Sequence, residues 1–124
     1  MHYIIIVLIL ATAPLFAESK PMTAEDLLVG CELAIKSANG EKLNEVEYLK
    51  ASQSLAYVDG YFDSIAMVQN LNPQVSIVDF SRQPPNNIII NLVVEAIRSN
   101  PKVRAEGTAR IVVMYVARSL AVKQ

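Results

Sequence analysis

Side chains that could catalyse a reaction or bind a metal are scarce in this chain of 124 residues, which has one histidine, one cysteine and 12 acidic residues. A serine or cysteine nucleophile needs an imidazole to take its proton, and a zinc site needs several histidine or cysteine ligands. The one histidine is His2, within an apolar N-terminal stretch. We therefore expect no enzyme of these types, no metal site and no cofactor.

Carboxylate chemistry remains open, because Asp59 and Asp63 are four residues apart and fall on one face of a helix. Two carboxyl groups can act as general acid and base when their surroundings raise the pKa of one of them. Such a pair on a helix is more often a solvated or partner-facing edge. The four glycines are isolated and form no phosphate-binding loop.

The first 17 residues have the outline of a cleaved secretory signal peptide. An apolar run over Tyr3–Leu10 leads to small residues and Ala17, and the polar sequence Glu18-Ser19-Lys20 follows. An uncleaved membrane anchor is the alternative, but about 14 apolar residues are fewer than the roughly 20 needed to span a bilayer. We expect export to the periplasm and a mature domain of residues 18–124 that is not inserted in the membrane.

Composition places the whole chain among small globular proteins. Hydrophobic residues make up 52% of the sequence and charged residues 19%, which excludes a disordered chain. A formal net charge of −1 and a pI near 5.8 provide no cationic face for nucleic acid. The length favours a single domain.

Helix signals predict an all-α fold, a compact bundle of four to five helices. Thr23 can cap a first helix with apolar residues at helical spacing, and Asn39-Gly40 ends it. A second helix begins near Leu43 and runs towards Gln69, with room for a break. Within it Ala56 and Gly60 form a notch of small residues, for which close packing against another helix is the preferred explanation.

The second half of the chain follows a long connection, Gln74–Asn86, that contains a pair of prolines. The β-branched run that begins at Ile88 has the propensity of a buried strand. We favour a helix over Ile88–Ser99, because Glu95–Arg98 continues the pattern and no second strong strand is present to pair with it. Asn100-Pro101 then starts a last helix that runs past Ala105 and Ala109 to Leu120.

Cys31 lies on the apolar side of the first helix. It is either a buried small hydrophobic residue or, in an oxidising compartment, half of an intermolecular disulfide. With one cysteine in the chain, an intrachain disulfide is excluded.

Aromatic and acidic residues alternate over Tyr57-Val58-Asp59-Gly60-Tyr61-Phe62-Asp63-Ser64. Such a helix suits a protein interface, where tyrosines anchor and charges orient the partner. Equally, the tyrosine rings can cover the core while the acids face water.

Three motifs, in this order, resemble the Rap/Tai family of type VI secretion immunity proteins: Asp26-Leu27-Leu28-Val29-Gly30-Cys31, then Tyr57-Val58-Asp59-Gly60-Tyr61-Phe62-Asp63, then Asn100-Pro101-Lys102-Val103-Arg104. The match covers essentially the whole mature chain. Many members of the family have further cysteines near the middle connection, where this chain has Phe80-Ser81. The family's disulfide therefore does not carry over.

The resemblance implies a periplasmic, all-helical homodimer with no enzymatic activity of its own. Members bind a peptidoglycan amidase delivered by sister cells and occlude its active site, which prevents self-intoxication. In the family an inter-helix loop of one protomer and a helix of the other contact the toxin. On this chain the matching partner-binding residues are the helix face of Tyr57, Asp59, Tyr61 and Asp63 and the turn of Ser99, Asn100 and Lys102.

Two other classes of function remain open. A small periplasmic chaperone or structural dimer without an amidase target would also be helical, exported and non-catalytic. A weak enzyme that uses carboxylates is the less favoured alternative, and it would need a pocket that holds two desolvated carboxyl groups.

Overall fold

The computed structural model describes residues 20–74, 78–79 and 86–120. The predicted signal peptide lies outside these residues. The described part of the chain forms five helices and no β-strand, so the all-α prediction is confirmed. The helices are α1 (Ala24–Ala38), α2 (Glu45–Leu71), α3 (Asn86–Arg98), α4 (Pro101–Glu106) and α5 (Ala109–Ser119).

Helix α1 is the centre of the bundle and packs against each of the other four helices. Its start is fixed by a reciprocal capping box, in which the Asp26 backbone N–H donates to Thr23 Oγ1 and the Thr23 N–H donates to the Asp26 carboxylate. The predicted end at Gly40 is also confirmed, because this glycine takes a φ of +88° that favours glycine over other residues.

The close approach of α1 and α2 depends on Gly30. A Cβ atom at this position would lie 2.6 Å from the Lys50 carbonyl oxygen and would overlap the side chain of Ser54. Ala51 and Ser54 are the buried small residues of α2 at this crossing. The two longest helices therefore meet with their backbones in contact, and a side chain at position 30 would force them apart.

Helix α2 is a single uninterrupted helix of 27 residues. Asn44 and Glu47 form its capping box. Among the described residues no helix packs against Gly60, since a Cβ built on this glycine meets no atom within 4 Å. The notch of Ala56 and Gly60 opens to solvent instead.

Helix α3 confirms the preference for helix over strand. Its buried residues follow helical spacing, with Ile89, Ile90, Val93, Val94 and Ile97 on the core and Ile88 and Asn91 outside. A strand would have alternated between its two faces residue by residue.

The predicted last helix is in fact two, α4 and α5, separated by Gly107 and Thr108. Gly107 is extended, its carbonyl oxygen accepts from the Ala24 N–H, and the Ala109 N–H donates to the Met22 carbonyl. Thr108 then caps α5 by accepting from the Ile111 N–H. Pairing with the segment before α1 ends the helix here, and the local sequence does not reveal that partner.

One buried cluster unites the bundle. It contains residues from α1, α2, α3 and α5, and Val78 from the connection after α2. The Val78 N–H donates to the side-chain oxygen of Gln69 at 2.7 Å, and the Gln69 side-chain amide donates to the Val78 carbonyl oxygen at 3.1 Å. Phe80-Ser81 and the proline pair of the predicted connection lie outside the described residues.

Candidate protein-binding site

The aromatic and acidic residues of α2 divide into two pairs. Tyr57 and Tyr61 are half-buried and pack against the core, and the Tyr61 ring stands edge-on to Phe62 at 6.4 Å between ring centroids. Asp59 and Asp63 are exposed. At about 100° per residue the tyrosines and the aspartates point to roughly opposite sides of the helix. The four residues therefore do not share one face, as the sequence-based assignment supposed, although their binding role stays a prediction.

Asp59 and Asp63 form an open acidic edge of α2. Both side chains are solvent-exposed, so neither has the desolvated surroundings that a catalytic carboxyl pair requires. An exposed carboxylate is instead well placed to accept a hydrogen bond from a partner protein, or to pair with its cations.

The predicted turn residues lie at the junction of α3 and α4. Asn100 caps α4, since the Val103 N–H donates to its side-chain oxygen at 3.3 Å. Ser99 and Lys102 are exposed. The turn is thus held by its own cap and presents its outer side chains in a defined position.

A depression of about 210 Å³ connects this turn to α5. Ser99 and Asn100 form one wall, and Ile111 and Tyr115 form the other. The tyrosine is 66% exposed and the isoleucine 54%. This volume is below the range of roughly 300–1,000 Å³ typical of small-molecule sites, so the depression better suits a side chain of a partner protein.

Ile111 and Tyr115 are not among the residues that the sequence motifs indicate. They are four residues apart, on the side of α5 away from its buried valines, where an apolar pair has no core to cover. An apolar pair outside the apolar side of a helix can be recognised from the sequence, and this signal could have identified both residues. No residue of α2 lines this depression, so it joins the turn to α5 and not to the two aspartates.

No family model, no curated protein and no solved structure matches this chain. Among the described residues no group of three or more histidine, cysteine or acidic side chains could hold a metal ion. No helix in the described ranges has both the length and the apolarity that crossing a membrane requires.

Two arginines tie α3 and α4 to α1. Arg104 donates two hydrogen bonds to the Glu25 carboxylate, and this hydrogen bonding, with the charge of Glu25, raises the pKa of Arg104. Arg98 pairs with Glu32 at 2.8 Å. Arg104 belongs to the third motif of the sequence resemblance, so its contacts give that motif a role within the fold.

Cys31 is a free thiol at the centre of the core, with no exposed surface. Burial, assisted by the charge of Glu32, raises the pKa of Cys31 from 9.0 to about 12. An intermolecular disulfide would require this sulfur to leave the core. Of the two readings of the cysteine, the structure supports the buried small hydrophobic residue.

We expect Cys31 to react with a thiol reagent at pH 8 at least about 100-fold more slowly in the native chain than in the denatured chain.

The raised pKa of Cys31 also makes the free energy of unfolding pH-dependent, because above pH 9 the thiol of the unfolded chain loses its proton first. The contribution of the protonated Cys31 thiol to the free energy of unfolding is complete below pH 9. It falls by about 1.4 kcal/mol per pH unit from pH 9 towards pH 12. Urea unfolding of the wild-type chain and Cys31→Ala across this range measures the difference, and equal alkaline slopes would contradict it.

Proposed function

We propose that this chain is a periplasmic immunity protein that binds a type VI secreted peptidoglycan amidase and occludes its active site. The observation that carries the proposal is the sequential order of the three motifs, Asp26–Cys31, Tyr57–Asp63 and Asn100–Arg104. The five-helix bundle is compatible with the all-helical domain that this resemblance implies.

To occlude an active site, an inhibitor needs a stable binding surface and no catalytic groups of its own. Such a surface needs an anchor that enters the partner's cleft and polar residues that orient it. Tyr115 and Ile111, beside the turn of Ser99 and Asn100, supply an apolar anchor with a polar rim. Lys102 and Asp59 add exposed charges of opposite sign on two other elements. We propose this turn and depression as the main contact with the effector, and the acidic edge of α2 as a second, smaller contact.

The test begins with the neighbouring gene. If it encodes a secreted papain-like amidase, that protein is purified and its cleavage of peptidoglycan is followed with and without this chain. We expect inhibition at a one-to-one ratio and a stable complex. Absence of both a complex and inhibition would reject the pairing.

Alanine substitutions then locate the surface. Tyr115→Ala should weaken binding to the amidase at least about tenfold, because truncation of an interface anchor costs about 1.4 kcal/mol or more. Lys102→Ala should weaken binding by a smaller factor, because it removes an exposed charge that orients the partner. Asp59→Ala tests whether the acidic edge of α2 contacts the amidase. Tyr61→Phe tests the same helix, because it removes only a hydroxyl group and leaves the core packing of the ring unchanged.

Glu41→Gln is the matched control, since this exposed acidic residue lies in the turn before α2 and outside both surfaces. It should leave binding unchanged. Full inhibition by the variants at positions 115 and 102 would overturn the turn and depression as the effector site. Full inhibition by those at positions 59 and 61 would overturn the helix.

The sequence resemblance also implies a homodimer, which remains part of this proposal. In the family both protomers contribute to toxin contact, so the oligomeric state bears on the inhibitory unit. A small periplasmic structural dimer without an amidase target would share this property but would show no inhibition.

A further inference from the structure

The outward side of α5 combines cationic and apolar side chains, and the helix contains no acidic residue. Its members are exposed or half-buried: Arg110, Ile111, Met114, Tyr115 and Arg118. At about 100° per residue these positions cover an arc of about 140°, opposite the side of the helix that is buried in the core. We call this surface the α5 outer face.

The two arginines of the α5 outer face are not used to hold the fold together. Within the described ranges neither Arg110 nor Arg118 forms an ion pair, whereas α3 and α4 are tied to α1 by other arginines. Arg110 and Arg118 are about 12 Å apart along the helix axis, so each can bind a carboxylate of its own. Both guanidinium groups are therefore free to contact a partner.

Charge is unevenly distributed over the fold, although the whole chain has a net charge of only −1. Residues 86–120, which form α3, α4 and α5, contain five basic and two acidic side chains. Residues 20–74, which form α1 and α2, contain four basic and eight acidic ones. Asp79 adds an acidic residue at the C-terminal end of α5, where its N–H donates to the Leu120 carbonyl oxygen. The α5 outer face thus belongs to the cationic half of a nearly neutral chain.

The α5 outer face is continuous with the depression beside the turn of Ser99 and Asn100. Ile111 and Tyr115 belong to both, and no charged side chain lines the depression. Lys102, on the turn side, is exposed. The combined surface therefore has an uncharged hollow of about 210 Å³ with cationic side chains on the elements that form it.

This combination favours an acidic protein surface over an anionic membrane. Arginine binds carboxylates in a planar two-point geometry, and tyrosine, methionine and arginine are enriched in protein interfaces. Anionic lipid is typically recognised by clusters of about four to eight lysines and arginines. Here there are three, Lys102, Arg110 and Arg118, and the uncharged hollow has no group that would bind a charged lipid headgroup.

We propose that the α5 outer face binds an acidic surface of the effector. The effector's carboxylates pair with Arg110 and Arg118, while one of its apolar side chains enters the depression beside Tyr115. This inference rests on the proposed function for the identity of the partner. It adds the chemistry of the effector surface, which must have acidic residues around a protruding apolar side chain.

The arginines and the tyrosine should then act on different steps of binding. Exposed charges at the rim of an interface attract a complementary surface before contact, so they raise the association rate constant and salt weakens their effect. A buried apolar contact acts mainly on the dissociation rate. We therefore expect substitution of Arg110 and Arg118 to slow association, and Tyr115→Ala to speed dissociation.

Stopped-flow measurement of association between the full chain and the purified amidase tests this. For the wild-type chain we expect the association rate constant to fall at least about tenfold between about 0.02 M and about 0.5 M salt. The double variant Arg110→Glu with Arg118→Glu should associate at least about tenfold more slowly at low salt, and the difference should disappear at high salt. Arg110→Lys with Arg118→Lys retains both charges and should keep most of the wild-type rate.

Lys36→Glu with Lys42→Glu is the matched control. It changes the net charge by the same amount at two exposed positions outside the α5 outer face and the depression. Its association rate constant should stay within about threefold of the wild-type value. Glutamate is favourable at position 110, near the start of α5, and unfavourable at position 118, near its end, so the two effects on helix stability oppose each other. Circular dichroism checks that each variant is folded.

Three results would contradict the inference, and each is distinct. A complex that forms at a rate independent of salt and of the charge reversals would reject the cationic contact and leave the immunity function standing. Absence of a complex at every salt concentration would reject the amidase as partner, and this inference with it. Binding of the wild-type chain, but not of the double glutamate variant, to vesicles rich in phosphatidylglycerol, with amidase binding the same for both, would assign the α5 outer face to a membrane instead.

Discussion

Gly30→Val is expected to destabilise the folded chain by about 3 kcal/mol, a large part of the stability of a domain of this size. The added side chain would start 2.6 Å from the Lys50 carbonyl oxygen. Because that oxygen belongs to the backbone of α2, it cannot rotate away as a side chain would, and the two helices must separate. Separation would in turn loosen the contacts that α1 makes with the other three helices. Thermal unfolding followed by circular dichroism should show a midpoint at least about 10 °C lower.

Gly60→Ala is the matched control for this substitution. Both glycines are interior to helices, but a Cβ at position 60 meets nothing. This variant should unfold at the same temperature as the wild type or higher, since alanine favours helix by about 1 kcal/mol. Equal destabilisation by the two variants would contradict a specific role for Gly30 at the helix crossing.

These two glycines show where sequence reasoning about this fold stops. Each interrupts an apolar helical pattern in the same way, and each has a small residue nearby on its helix. Which glycine faces a neighbouring backbone depends on how α1 and α2 cross, and that is a contact between residues 20 or more positions apart. Local patterns assigned the packing role to Gly60, whereas the tertiary arrangement gives it to Gly30.

Local signals were sufficient where the cause of a structure is itself local. The caps at Thr23 and Asn100 act within three residues, and both helix starts were predicted from them. The break at Gly107 has a different cause, because its backbone pairs with Met22 and Ala24 at the far end of the domain. The sequence between Pro101 and Leu120 therefore read as one helix, and only the tertiary contact divides it.

The candidate site was predictable in part for the same reason. Asn100-Pro101 is a helix-start signal, and the family resemblance assigned Ser99 and Asn100 to partner binding; the structure shows both residues lining the depression. Tyr115 and Ile111, across the depression, come from another helix, and their proximity depends on the packing of α5 against α3. Several motif residues behind the family resemblance have roles in the fold, such as Arg104 with Glu25. Partner specificity is thus to be sought among exposed residues outside those roles.

Ile90→Ala and Ile89→Ala are each expected to cost about 2–5 kcal/mol, as is usual for isoleucine truncated in a packed core. Ile89 and Ile90 are 2% and 4% exposed, whereas the adjacent Ile88 is 44% exposed. Ile88→Ala should therefore change the free energy of unfolding by less than about 0.5 kcal/mol, because the helix propensity of alanine offsets part of the lost contact. Urea titration of the three variants gives the comparison directly.

The pattern of these three results separates helix from strand, the ambiguity that the run of β-branched residues created. In a strand, Ile89 and Ile90 would point to opposite faces, and Ile88 would share the face of Ile90. One exposed face would then give one small and two large effects, or two small and one large, with Ile88 and Ile90 always alike. The helix instead makes Ile89 and Ile90 alike and Ile88 different, because α3 buries adjacent residues against α1 and α5. Similar costs for Ile88→Ala and Ile90→Ala would contradict the packing of this helix, and with it the position of the turn at Ser99 and Asn100 that α3 carries.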